Sequence, residues 1–247
     1  MFFEQIIWFG LTLAVLAWLQ PRLHTEIQRI FLLITRSPKT AILLFALVFL
    51  PGVFLHELSH FLTAKLLRVP TGRFSVFPRE LGNQRLQMGF VEVAVSDPVR
   101  ESLIGAAPLL TGSAFVAYVG FSRLEVNTLV SSAQLGLGEV IPAFFALFHQ
   151  PDVWLWLYLA LTVSSTMFPS ASDRRPWLKV AIGLAIILGV LLVLGAGYWL
   201  LDLLQPGLTR GLTAAAMIFG ISAGIHMLLL LPLVLLRILL TDLFNRG

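Results

Sequence analysis

Long apolar runs constrain this chain more than any other feature. Read against the roughly 20 residues that a helix needs to cross a bilayer, the sequence offers about six candidate spans. They cover residues 6–20, 41–67, 102–121, 153–169, 177–201 and 212–236. Over the 247 residues, 57% are hydrophobic and 12% charged, and the mean hydropathy is +0.89. A soluble domain carries about a quarter charged residues. The expected fold class is therefore an all-α polytopic membrane protein. The isoelectric point near 10 does not indicate nucleic acid, because the basic residues sit in short loops between apolar runs. The chain has no cysteine, which excludes disulfides and thiolate metal sites. The start, "MFFEQIIWFG", reads as a retained span rather than a cleaved leader.

Residues 71–98 break the helical pattern. Val91, Val93 and Val95 alternate with other residues, and two such runs flank "ELGNQ". This predicts a small membrane-associated β-hairpin between the second and third spans. Residues 21–39 mix charge with apolar side chains and read as an interfacial segment. Residues 122–152 fit either an interfacial helix or a re-entrant one. Topology follows from Lys and Arg. Lys65, Arg68, Arg73, Arg79, Arg85 and Arg100 follow the second span, and Arg174, Arg175 and Lys179 the fourth. These place both termini in the cytoplasm, with the cell membrane as the expected location, although Arg22, Arg29, Arg36 and Lys39 in the first loop oppose it.

The second span holds "FLPGVFLHELSHFLTAKLL", in which His56, Glu57 and His60 interrupt an apolar run. Residues four apart on a helix share a face, so both imidazoles can reach one ion. In H-E-x-x-H the glutamate is not a ligand but a general base toward a metal-bound water. Chance produces such a pattern in roughly one chain in a hundred of this length. Ionisable groups in mid-span cost about 2.5 kcal/mol or more each on insertion scales, and a bound cation offsets that cost. Two histidines suit zinc, which takes a third protein ligand at catalytic sites. The residues alone leave that ligand open between the downstream glutamates Glu80, Glu92, Glu101, Glu125 and Glu139 and the aspartate Asp173, which follows Pro169 at the end of the fourth span.

The constellation resembles the site-2-protease family of intramembrane zinc metalloproteases. His56, Glu57 and His60 match its first motif, and residues 71–96 its β-rich loop. "GAAPLLTG" is similar to its A-G-P-L-x-N segment, with Ala107 for the glycine and Thr111 for the asparagine. "SSTMFPSASDRR" resembles its N-x-x-P-x-x-x-x-D-G segment, with Ser165 for the asparagine, Pro169 shifted one place, Asp173 kept and Arg174 for the glycine. The resemblance implies Zn2+ held by His56, His60 and Asp173, with Glu57 as catalytic base. It implies a protease core over residues 41–180, an N-terminal span and interfacial segment over 1–40, and C-terminal transmembrane helices over 181–247. The implied partners are a transmembrane protein substrate and the lipid bilayer, without nucleic acid. Two other readings stay open: a zinc-binding scaffold that does not cut, and a metal transporter. His226 in the sixth span reads as a satisfied interhelical hydrogen bond, and His24 and His149 as interfacial.

Overall fold

A computed structural model describes residues 2–80 and 86–245. The chain runs α1 (Phe2–Thr35), α2 (Pro38–Val48) and α3 (Leu50–Leu66), then β1 (Thr71–Ser75), β2 (Arg79–Glu80), β3 (Leu86–Gln87) and β4 (Phe90–Val93). After these come α4 (Pro98–Tyr118), a π-helical turn (Val119–Arg123), α5 (Val126–Leu135), α6 (Leu137–Leu147), α7 (Val153–Thr166), α8 (Trp177–Val193) and α9 (Gly197–Asn245). Among the described residues three helices are long and apolar enough to cross a membrane: α1, α4 with its π turn, and α9. The α2–α3 pair, bent by 64°, makes a fourth if it counts as one span. The result is a helical membrane protein with a small antiparallel hairpin.

Several boundaries differ from those read in the sequence. α1 does not stop before Pro21 but continues to Thr35, so residues 21–35 form one helix with the first span. Its buried stripe Leu16, Leu19, Leu23, Ile27 and Ile30 carries past the proline at helical spacing. The charge that made the segment look interfacial is paired: Glu26 accepts from Arg29 on the same helix and from Arg237 on α9. His24 is likewise inside the bundle, its ring 4.9 Å from that of Phe49 and 5.4 Å from that of Phe45. The second span breaks at Phe49, which is fully buried, because Pro51 starts α3 without an N–H to continue α2. The fifth stops at Val193 and turns through Gly195 at φ 80°, a left-handed conformation that favours glycine. Residues 122–152 form the two short helices α5 and α6, and no residue of α5 is buried.

The hairpin pairs β1 with β4 (Thr71↔Val93, Phe74↔Val91, Ser75↔Phe90) and β2 with β3 (Arg79↔Gln87, Glu80↔Leu86). Its expected turn, at 80–84, lies outside the described residues beyond Glu80, which ends β2.

α7 occupies the middle of the bundle. Leu157, Ala160, Leu161, Thr162, Val163, Ser164 and Ser165 are all buried, so the carboxyl-terminal half of the helix is enclosed on every side, while Trp154 and Leu155 near its start are exposed. α8, by contrast, is apolar with none of its described residues buried, which suits contact with lipid. α1 and α9 lie side by side in the same direction: Gln5 accepts from Thr213 at 3.0 Å near one end, and Glu26 meets Arg237 toward the other. The amino end of α1 and the carboxyl end of α9 are therefore at opposite ends of the pair.

Candidate metal centre

His56 and His60 lie one turn apart on α3, their Nε2 atoms 3.2 Å from each other. What sets their orientation is the other ring nitrogen. Nδ1 of His56 donates to the Thr166 carbonyl at 2.6 Å, and Nδ1 of His60 to the Ile104 carbonyl at 2.8 Å. A carbonyl only accepts, so both Nδ1 atoms carry hydrogen and both neutral Nε2 atoms present lone pairs. Two lone pairs that close repel unless a positive charge, a shared proton or a metal ion, lies between them. Two ligands of a tetrahedral zinc, each at about 2.0–2.1 Å, stand about 3.3–3.4 Å apart.

Prolines make both carbonyls available. In α4, Pro108 has no N–H to donate to the residue four back, which is Ile104. That carbonyl, released from its own helix, takes the His60 proton instead. α7 ends at Thr166, three residues before Pro169. The N–H of Ser170, which would otherwise close the Thr166 helical bond, donates to Asp173 Oδ2 at 2.7 Å. One helix break thus frees an acceptor for His56 and a donor for Asp173.

Asp173 is the third member. Its Oδ2 accepts from both the N–H and the hydroxyl of Ser170, the latter at 2.6 Å. This leaves Oδ1 turned toward the histidines, 3.6 Å from His60 Nε2. One ligand atom from each of His56, His60 and Asp173 falls within 4.8 Å of the others. The loop carrying Asp173 can approach because Gly105 has no side chain: a Cβ there would collide with the Asp173 carbonyl oxygen. A nitrogen, nitrogen, oxygen donor set fits zinc.

Glu57 is 8% exposed and lines the same cavity, of about 690 Å3, as the three candidate ligands. Gly89 of the hairpin packs directly over it. A Cβ there would come 2.8 Å from Glu57 Cγ, so only glycine lets the hairpin close over this carboxylate. β4 and the residues after it complete the wall with Val91, Val93 and Ala94.

None of the other described glutamates considered as ligands joins the cluster, although Glu101 lines the same cavity. Glu92 accepts from the Arg73 N–H at 3.1 Å and Glu101 from the Ser96 N–H at 3.0 Å. Glu125 and Glu139 begin α5 and α6, and the side chain of Glu80 lies outside the described residues. Ser165 does not face the cavity; its hydroxyl is 3.0 Å from His226 Nε2, whose Nδ1 donates to the Ser222 carbonyl at 2.8 Å. His226 is thus held between α7 and its own helix. Thr111 donates back to the Ala107 carbonyl at 2.9 Å. Arg174 faces a separate groove beside Gln20 and Phe168, while Arg175 lines the cavity. Pro108, Ser170 and Gly89 were missed as contributors. Of these only Pro108 carried a usable signal, since a proline inside a helix always orphans the carbonyl four residues back.

One consequence is measurable. Pro108→Ala supplies an N–H that competes with His60 for the Ile104 carbonyl. Zinc affinity should fall by about 10- to 100-fold, the usual cost of disturbing a partner behind a ligand, while the helix gains a hydrogen bond. Nitrogen-15 NMR of the metal-free protein should show His60 moving from a pure Nδ1–H tautomer to a mixture. An unchanged tautomer and affinity would leave Pro108 with a packing role alone.

Fold and site together define a class: a helical membrane protein in which a bent helix, a helix end and a hairpin converge on two histidines, an aspartate and a glutamate. No protein-family model, curated protein or solved structure matches the chain.

Proposed function

We propose that the chain is an intramembrane zinc endopeptidase of the site-2-protease type. The observation that carries this reading is the convergence of His56 and His60 from α3 with Asp173 from the loop after α7, at a cavity that Glu57 shares. In this reading α7 and α8 also lie in the bilayer, which brings the membrane segments to about six. Zinc on these ligands would lower the pKa of water and polarise the scissile carbonyl. Glu57 takes the proton from the attacking water and returns it to the leaving amine nitrogen. Thr166 and Ile104 hold the second nitrogens of His56 and His60, which leaves each Nε2 directed at the metal position. The substrate is a single transmembrane helix, unwound locally so that its carbonyl is exposed. β4 has strand β1 on one edge only among the described residues, so an extended substrate can pair along its other edge, using backbone groups and tolerating varied side chains.

A second reading has one observation behind it. Thr111 and Ser165, which stand where the family carries asparagine, do not face the cavity. That favours a zinc-binding scaffold that does not cut. Bilayer-reconstituted protein offered a panel of single-span peptides, with helix-weakening Gly or Pro at varied depth, separates the two. Products that vanish on chelation and return with zinc support the peptidase. Intact peptides in the presence of zinc-loaded protein support the scaffold. The transporter reading would call for paired discontinuous spans, and the described residues contain one bent pair.

A further inference from the structure

Arginine recurs every seven residues along α1 and just past its end, at Arg22, Arg29 and Arg36. That interval is close to two helical turns, so the three form one stripe with about 10 Å between successive Cα atoms. α9 runs beside α1 in the same direction and adds Arg237 near the stripe's far end. Between the two helices lies a cleft of about 400 Å3 whose polar side is Arg29, Arg36 and Arg237 and whose apolar side is Leu32, Leu33 and Phe244.

The cleft is short of negative charge. Glu26 is the carboxylate paired with these arginines among the described residues, and both of its oxygens are taken. Oε1 accepts from Arg29 at 3.1 Å, and Oε2 from Arg237. Three guanidiniums, with five N–H donors each, thus line the cleft, and the one carboxylate that two of them share is already saturated. The Arg29 side chain remains 59% exposed, and the Arg36 guanidinium lies 5.6 Å over the Phe244 ring. A neighbouring groove, sharing Arg29, continues toward the middle of the helix pair past Leu230 and Val234 of α9.

We propose that this cleft binds an anionic glycerophospholipid, with its phosphate among Arg29, Arg36 and Arg237 and its acyl chains along Leu230 and Val234. Guanidinium pairs with phosphate through two parallel hydrogen bonds, and basic pockets between membrane helices select anionic headgroups. The apolar wall and the groove running on from it are what a free phosphate would leave unused. This site is separate from the histidine cluster and does not depend on the protein being a peptidase.

Native mass spectrometry of the full-length protein in detergent tests it, with dioleoylphosphatidylglycerol, dioleoylphosphatidylcholine and inorganic phosphate as probes. Phosphatidylglycerol should be retained at least about tenfold better than phosphatidylcholine, and equimolar phosphate should not displace it. Each arginine removed should cost about fivefold, so Arg29→Gln with Arg36→Gln should cost about 25-fold for phosphatidylglycerol and nothing for phosphatidylcholine. Arg237 is left in place because it neutralises the buried Glu26. Should the double variant misfold, Arg36→Gln alone, at an exposed position, should show the fivefold loss. Equal retention of both lipids, or an unaltered affinity in a folded variant, would overturn the proposal and leave the arginines as partners of the helix carboxyl ends. Displacement by phosphate would overturn the lipid assignment.

Discussion

Replacing Glu57 with glutamine is expected to leave zinc binding intact and to slow cleavage by about a hundred- to ten-thousandfold, the contribution of a general base. Glutamine has nearly the same shape, and Glu57 packs tightly under Gly89, so the substitution leaves the cavity wall in place. What it removes is the ability to accept a proton from water. The carboxylate is not among the three candidate ligands, so metal retention and catalysis should separate cleanly in this variant. Zinc content by elemental analysis and peptide cleavage in bilayers read the two halves independently. Cleavage at the wild-type rate would remove Glu57 as the base and with it the proposed mechanism.

Replacing Asp173 with alanine should have the opposite profile, with zinc affinity falling by more than the roughly hundredfold that disturbing an outer partner costs. Two effects combine. The oxygen facing His60 Nε2 at 3.6 Å is lost, and the Ser170 N–H loses its acceptor. That donor is then free to close the Thr166 helical bond, in competition with His56 Nδ1. Glu101→Gln is the matching control: Glu101 lines the same cavity, but its Oε1 is engaged by the Ser96 N–H. It should keep its zinc. Zinc binding of wild-type strength in Asp173→Ala would place the third ligand elsewhere.

The candidate site was more legible in the sequence than the architecture. His56, Glu57 and His60 needed only helical spacing, and the hairpin needed only alternation, so local pattern sufficed for both. Asp173 was one of several acids until the motif order singled it out, because its approach depends on Gly105 and on a helix ending at Thr166. The continuity of α1 past Pro21 was hidden, since a charged residue at Glu26 looks solvent-exposed until Arg237, more than two hundred residues away, is seen beside it. The parallel course of α1 and α9 was hidden for the same reason: hydropathy gives span positions but not which helices meet. The groups that orient the histidines were the least legible part. Backbone carbonyls at Ile104 and Thr166 carry no side-chain signature, and only the proline four residues after the first of them hints that it is free.

The central claim is that His56, His60 and Asp173 hold one zinc ion, and X-ray absorption on the purified full-length protein tests it most directly. The expected result is one zinc per chain with a first shell of nitrogen and oxygen at about 2.0–2.2 Å, collapsing in Asp173→Ala. Protein purified without chelator that carries no stoichiometric zinc and takes none up, or a shell unaltered by that substitution, would contradict it.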